Sequence, residues 1–284
     1  MVCMKVIKEN SAEDFLNKNE EYLLKRESEY NLILGLSGAI LKAKMLSENP
    51  LFYTVFEGDA ISGQAIRTNP DKPLAIAYMN DNAVANLVKR LQEDNVILQG
   101  VVGPIEVAKK FTELWKTNSN IGMHQGIYQL DSVIHPEYDS GNMRLATFDD
   151  HELVRSLSLG FIQDCFPGNE SKEKEADEAA NSNLKNKTLY LWLNKNYEIV
   201  SMAGKNRESK NGATISWVYT PIEFRNHGYA SKVVASLSQK ILDEGKLFCN
   251  LFTDLLNPTS NSIYQKVGYR KVGESMHLQF FERA

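Results

Sequence analysis

No run of apolar residues in the chain approaches the roughly 20 needed to cross a bilayer. A membrane-spanning segment is therefore not expected. The first residues, MVCMKVIKEN, lack the long apolar core of a secretory signal. Cysteine is scarce: Cys3, Cys165 and Cys249 lie far apart, with no C-x-x-C pair. This excludes a disulfide framework, makes a zinc site unexpected and reads as reduced thiols in a cytoplasmic protein. Positive charge is not in excess. The formal net charge of −4 argues against a nucleic-acid binder driven by bulk electrostatics. Neither G-x-x-x-x-G-K-S/T nor G-x-G-x-x-G occurs, which disfavours a P-loop or dinucleotide module.

What remains is ordinary globular material: 284 residues, 43% hydrophobic and 24% charged. That is enough for one large domain or two of middling size. The most informative stretch runs from Trp217 to Val234, WVYTPIEFRNHGYASKVV. Ile215, Trp217, Val218 and Tyr219 read as a strand, which Pro221 breaks because proline has no N–H for a sheet ladder. After Arg225-Asn226-His227-Gly228-Tyr229-Ala230, the residues Val233, Val234, Leu237, Ile241 and Leu242 recur at helical spacing. A strand, a loop with one glycine and a helix start together aim free amides and a positive helix end at one place. Such a place binds an anion, a phosphate above all.

Along the chain, residues 1–50 read as helical. Two apolar runs flank Glu57-Gly58-Asp59 as a hairpin. Strands are expected at Leu74–Met79 and Val96–Val102, helices at Ala83–Leu91 and Ile105–Trp115, and a closing strand at Tyr128–Ile134. His135-Pro136 to Gly141-Asn142 reads as a linker. A strand at Met143–Ala146 follows. Thr147 and Asp150 then form a capping-box-like start to a helix carrying Leu153, Leu157 and Phe161 on one face. Residues 168–187 are polar and charged and read as a mobile or helical surface segment with few anchors, a solvated face rather than a substrate lid. A second hairpin, Leu189–Leu193 with Ile199–Ala203, leads into the strand at Thr214–Tyr219. The helix to Leu242 stops at Glu244-Gly245-Lys246, with glycine past its end. Strands at Leu247–Thr253 and His277–Phe281 enclose a short helix at Ser260–Val267.

The two halves thus share an order of elements, as after an internal duplication. Their difference lies after Met79. There the first half reads LAIAYMNDNAVANLV, without glycine or arginine, so no anion site is expected at that turn.

Arg225-x-x-Gly228-x-Ala230, after a strand and opening a helix, resembles the pyrophosphate loop of the GNAT superfamily of N-acetyltransferases. Downstream, Asn257-Pro-Thr-Ser260-Asn261-Ser-Ile-Tyr264-Gln-Lys-Val-Gly268-Tyr269 is similar to that family's N-x-x-S/A-x-x-x-Y-x-x-x-G-F/Y segment. The resemblance covers about residues 143–284, and the chain as a whole looks like the two-domain bacterial members. It implies an α/β (α+β) fold of two GNAT-like domains, each a mixed, mostly antiparallel sheet flanked by helices. Residues 1–138 would be a degenerate GNAT-like domain, and 143–284 the catalytic one.

The implied activity is transfer of an acetyl group from acetyl-CoA to a primary amine, of a small molecule or a peptide, by direct attack in a ternary complex. A catalytically silent CoA-binding sensor is the alternative. The amides of Asn226, His227, Gly228, Tyr229, Ala230 and Ser231 would hold the CoA pyrophosphate, with Arg225 and His227 adding charge or hydrogen bonds. A side chain at Gly228 would block close approach. In the family, backbone groups at the positions of Val218 and Tyr219 pair with pantetheine and polarise the thioester carbonyl. Tyr264 would be the general acid for the leaving thiolate. Asn257 would hydrogen-bond pantetheine or serve as a turn residue before Pro258, and Asn261 would cap or touch CoA. The general base stays open among Glu223, His151, Asp254, His277 and a water relay. Trp192 and Trp217 read as core. The partners expected are an amine acceptor of unspecified identity and acetyl-CoA as cosubstrate, with no nucleic acid and no membrane, in a monomer or homodimer.

Overall fold

The computed structural model describes residues 3–43, 45, 47–137, 141–166, 168 and 171–281. The first half runs β1 (Met4–Lys8), α1 (Ala12–Leu24), α2 (Asn31–Leu41), β2 (Leu51–Glu57), β3 (Ala60–Arg67), β4 (Leu74–Ile76), α3 (Asp81–Glu93), β5 (Gly100–Gly103), α4 (Ile105–Trp115) and β6 (Asn118–Leu130). The second runs β7 (Asn142–Leu145), α5 (His151–Cys165), α6 (Lys172–Asn186), β8 (Leu189–Leu193), β9 (Ile199–Glu208), β10 (Gly212–Tyr219), α7 (Tyr229–Asp243), β11 (Phe248–Asp254), α8 (Pro258–Val267) and β12 (Arg270–Phe281). The order of elements is the same in both. The fold is mixed α/β, and all its strands join one sheet in the order β1-β2-β3-β4-β5-β12-β6-β11-β10-β9-β8-β7.

The two closing strands are exchanged. β12 lies beside β5, where the first half's own last strand would sit, and β6 lies beside β11. β6 and β12 then pair with each other along their length, Arg270 with Gln129 through Phe281 with Asn118. Helices cover both sheet faces, and each face of each half has its own core. Met276, Leu278 and Phe280 of β12 are buried under α3 and α4 of the first half. Tyr128 and Leu130 of β6 enter the core beneath α7 and α8. Burying each such side chain contributes about 1.5–3 kcal/mol, an upper bound for a compact unfolded state. The exchange therefore makes each half depend on the other.

Several expected elements hold. The hairpin turns at Gly58, whose φ of +64° suits glycine. The helix at Ile105–Trp115 has the expected limits, and Thr147 and Asp150 form a reciprocal capping box.

Others need correction. The first fifty residues are not all helical: Met4–Lys8 is a strand paired antiparallel with β2. Only Met4, Val6 and Ile7 are apolar there, too few to announce it. The first half's closing strand spans Asn118–Leu130 rather than Tyr128–Ile134, and β12 begins at Arg270 rather than His277. Both extensions are polar and are held by pairing with each other, which periodicity cannot show. Leu153 is 36% exposed; the buried face of α5 is Val154, Leu157, Ser158 and Ile162. The polar segment is helical at Lys172–Asn186, one of the two forms expected, but it is anchored on α5 through buried Ala176, Ala180 and Leu184. Tyr138–Ser140 of the expected linker, and Asn169 and Glu170 of the polar segment, lie outside the described residues.

Candidate functional site

β10 and β11 run parallel, with facing residues Gly212–Phe248, Ala213–Cys249, Thr214–Asn250 and Ile215–Leu251. There the pairing stops. β10 continues to Tyr219 along β9, and β11 to Asp254 along β6. The cause sits in β10. Its register against β9 slips between Ser216 and Tyr219, and Trp217 takes a φ of +52°. A left-handed tryptophan costs about 1–2 kcal/mol; its ring lies 4.8 Å from that of Phe161 in α5, a packing contact that offsets the cost. Beyond Ile215 and Leu251, the two strands present facing backbone edges to a gap. Those N–H and C=O groups need partners, and an extended ligand with amides of its own supplies them.

The gap opens toward the loop after Tyr219. A single 3₁₀ turn, Ile222–Phe224, follows Pro221. Asn226 and Gly228 have φ of +66° and +75°, and α7 begins without a side-chain cap. Its first intrahelical bond is Lys232 N–H to Gly228 O at 3.1 Å. The amides of Tyr229, Ala230 and Ser231 thus precede the ladder. A Cβ placed on Gly228 would meet nothing within 4 Å. Glycine is required there for its left-handed backbone, and the space in front of it is open to a ligand.

Arg225 shapes the loop. Its Nε donates to Thr220 O at 3.0 Å, Nη2 to Asp164 Oδ2 at 2.5 Å, and its guanidinium lies 5.7 Å from the Tyr219 ring. His227 Nδ1 lies 2.8 Å from Arg225 O, and its ring stacks on Tyr229. Tyr219 reaches back to α5 beside Gly160, and its carbonyl accepts from the Ser201 hydroxyl at 3.0 Å.

On the opposite side of the gap, Asn257 caps α8: its Oδ1 accepts from Ser260 N–H at 3.0 Å. Asn261 Nδ2 donates to Asp254 O at 3.2 Å, while its buried Oδ1 has no hydrogen-bond partner among the described residues. Tyr264 is 8% exposed, and its hydroxyl has no hydrogen-bond partner among the described residues. Burial holds the phenol well above its usual pKa, and the neighbouring Cys165 thiol adds to the shift. Cys165, at the end of α5, is exposed, yet desolvation by its surroundings and the charges of Asp164 and Asp254 push its thiol up to about 11. The site thus gathers the ends of β10, β11 and α5 with the starts of α7 and α8.

A family model described as FR47-like protein matches residues 193–278. No curated protein matches the sequence. Solved structures do. An acetyltransferase of the GNAT family from Colwellia psychrerythraea superposes with a TM-score of 0.57 at 12% identity, over 98% of this chain and 100% of the other. A Drosophila protein gives 0.67 at 13% identity, over 100% of each chain. A tandem GNAT protein from the clavulanic acid biosynthesis pathway gives 0.57 at 7% identity, over 97% of this chain and 98% of the other. In fold, the chain is a two-domain GNAT-type protein.

The two GNAT-type halves differ where the sequence said they would. In the first, β4 and β5 also run parallel, through Leu74–Val101 and Ala75–Val102. Its helix α3, however, is closed by its own cap: Asn80 Oδ1 accepts from Ala83 N–H at 2.9 Å, and Asp81 occupies the first turn. A capped helix start bearing a carboxylate repels an anion.

The candidates for a general base separate as well. His151 lies between Glu152 and Asn181 on α5 and α6. His277 sits on β12, two strands from β11. Asp254 and Glu223 flank the gap, although Asp254 Oδ1 already accepts from Leu256 N–H at 2.9 Å. Trp192 is core, as expected, at 2% exposure. The residues that sequence reasoning missed are Asp164 and Cys165. They reach the site from α5, far away in sequence, and no local motif marks them.

Proposed function

We propose that the chain is an acetyl-CoA-dependent N-acetyltransferase with one active centre, in the catalytic domain 143–284, and that the degenerate domain 1–138 shapes the acceptor cleft. The observation that carries this reading is the gap beyond Ile215 and Leu251, which leads straight to the uncapped start of α7. Acetyl-CoA, when bound, supplies an acetyl group activated as a thioester.

The amides from Asn226 to Ser231 would hold the pyrophosphate against the positive end of α7. Arg225 braces that loop against Asp164 rather than offering a free charge. The backbone of Val218 and Tyr219 would pair with the pantetheine arm, and an amide there would polarise the carbonyl under attack. Asn257 and Asn261 would line the arm, the latter with its unpartnered Oδ1. The acceptor nitrogen bonds to the acetyl carbon and the C–S bond breaks. Tyr264 gives its proton, or a hydrogen bond, to the departing sulfur, while the nitrogen's proton leaves to a carboxylate or water. The raised pKa of Tyr264 keeps it in the donor form.

A thiol-release assay with amino acids, polyamines, aminoglycosides and peptides tests the reading. Release of CoA is expected with at least one amine. Binding of acetyl-CoA without release across the panel would favour a silent CoA-binding sensor.

A further inference from the structure

On the sheet face covered by α2, beside the gap, lies a polar cluster that the cosubstrate site does not use. Lys205 faces Ile215 and Glu208 faces Ala213, so Asn206 and Arg207 of β9 stand together opposite Thr214. A bulge of this kind re-aims a side chain. Here it points Arg207 toward α2, where its Nε donates to Asn31 Oδ1 at 3.2 Å. The same oxygen accepts from the Thr214 hydroxyl, also at 3.2 Å. The two terminal nitrogens of Arg207 have no hydrogen-bond partner among the described residues, and no carboxylate there lies within ion-pair distance.

Arg207 is neither sealed nor on an open surface. It is partly buried by exposure, yet its pKa is pulled down to about 10, and desolvation is the sole cause. A cation that has lost part of its water and has no counter-charge among the described residues calls for one. Its guanidinium lies 5.5 Å from the ring centre of Phe252, the first residue of β11 beyond the last pair with β10. Two residues earlier on the same face, Asn250 is 0% exposed, and neither its Oδ1 nor its Nδ2 has a hydrogen-bond partner among the described residues.

Phe252 also lines a small cavity of about 20 Å³, with Glu29, Tyr78, Ile127 and Ser275 among its walls; Arg207 itself does not line it. The acidic groups around it are already paired. Glu29 takes both nitrogens of the Arg26 fork at 2.7 and 2.8 Å, Glu274 binds His124 and Lys271, and Glu27 accepts from Asn211. Among the described residues, Arg207 is therefore an uncompensated charge beside Phe252, where β11 leaves its pairing with β10.

We propose that the acceptor amine carries an anionic group, a carboxylate in its simplest form, and that Arg207 holds this group between α2 and β11, beside Phe252. The guanidinium offers two free N–H₂ groups in a fixed fork, the geometry that takes a carboxylate bidentately. An amine anchored in this way is held by its acidic end near Phe252, with its nitrogen free to reach the gap. The proposal rests on the acetyltransferase reading above and names the substrate class for that site.

The test compares matched amines in the thiol-release assay: free amino acids against their amides, and O-phosphoethanolamine against ethanolamine. Wild type, Arg207→Gln and Arg207→Lys are assayed, and acetyl-CoA affinity is measured separately by calorimetry. The wild type should prefer the anionic member of a pair by about tenfold or more in kcat/KM, the range of a charge-assisted bond. Arg207→Gln should erase that preference by raising KM for the anionic amine, with kcat for the neutral amine and acetyl-CoA affinity unchanged. Arg207→Lys should restore part of it. Preference for the phosphate-bearing amine over the amino acids would support a phosphoryl anion as the group held. Equal use of acid and amide by the wild type would overturn the proposal. So would an Arg207→Gln variant that loses both substrates equally together with several degrees of melting temperature, since that marks a brace between α2 and β9. Absence of acetyl-CoA binding to the wild type would overturn the acetyltransferase reading itself, and this inference with it.

Discussion

Ile215 and Leu251 are the last facing residues of β10 and β11, and the backbone beyond them is left open on both strands. A parallel pair in the middle of a twelve-stranded sheet would ordinarily continue to the ends of its strands. It stops here because Trp217 adopts a left-handed φ and β10 slips against β9. The sheet thus gives up ladder bonds at the one edge that leads to the start of α7. The following outcomes are expected from this arrangement.

Tyr264→Phe removes the hydroxyl from a buried ring and keeps its packing. Turnover should fall by about 10²-fold, the lower range for a lost general acid. Acetyl-CoA affinity should stay within about twofold, since the hydroxyl acts on the leaving group. Because burial raises the phenol pKa, the pH–rate profile should show no Tyr264 limb near the usual value of 10. Unaltered turnover would remove Tyr264 from the acid role.

Asp150 anchors the start of the second half. Its carboxylate accepts from both terminal nitrogens of Arg144 at 2.7 Å and from Thr147 N–H at 2.8 Å. The Arg144 hydrogen bonds hold its pKa down at about 2 against an ordinary 3.8. A depressed folded-state pKa stabilises above the unfolded value, and that contribution disappears as pH falls through the folded one. Asp150→Asn should therefore cost about 1 kcal/mol at pH 7, discounted because Arg144 is 38% exposed on its side chain. Melting curves should converge with wild type as pH falls from 3.8 toward about 2. A difference that persists unchanged at the acid end would contradict this assignment.

The exchange of β6 and β12 has a consequence for dissection of the chain. Expressed alone, residues 1–138 lack Met276, Leu278 and Phe280 in their core, and residues 143–284 lack Tyr128 and Leu130. Neither half should give a cooperative melt at the temperature of the whole protein. Mixing the two should restore one, in a concentration-dependent manner. A fully stable isolated second half, by circular dichroism, would show that the exchanged strands are dispensable.

Much of this was legible in the sequence, for identifiable reasons. The loop from Arg225 to Ala230 and the segment from Asn257 to Tyr269 are local: a glycine with positive φ, a helix start and a cap each announce themselves within a few residues. That the first half has neither glycine nor arginine at the corresponding turn was equally visible; Asn80 and Asp81 stand there instead, one as the helix cap and one in its first turn. The exchanged strands were not legible. Asn118–Gly126 and Arg270–Met276 carry little hydrophobic alternation and owe their strand form to partners about 150 residues away. The roles of Asp164, Cys165 and Arg207 escaped for the same reason. Each acts across elements that only the fold brings together, and the bulge that aims Arg207 has no signature in composition. For Gly228 the sequence offered only the argument from space; the structure adds a left-handed backbone, φ +75°, that favours glycine whatever lies in front of it.

The central claim is a single acetyl-CoA site, held by the start of α7. Isothermal titration of acetyl-CoA into the wild type and into Gly228→Glu tests it most directly. The variant forces a left-handed glutamate and a negative charge onto the helix end where the phosphates would sit. Expected are micromolar binding at one site per chain for the wild type, and no binding for a variant that still melts cooperatively. Absence of binding to the wild type, two sites per chain, or undiminished binding to folded Gly228→Glu would contradict it.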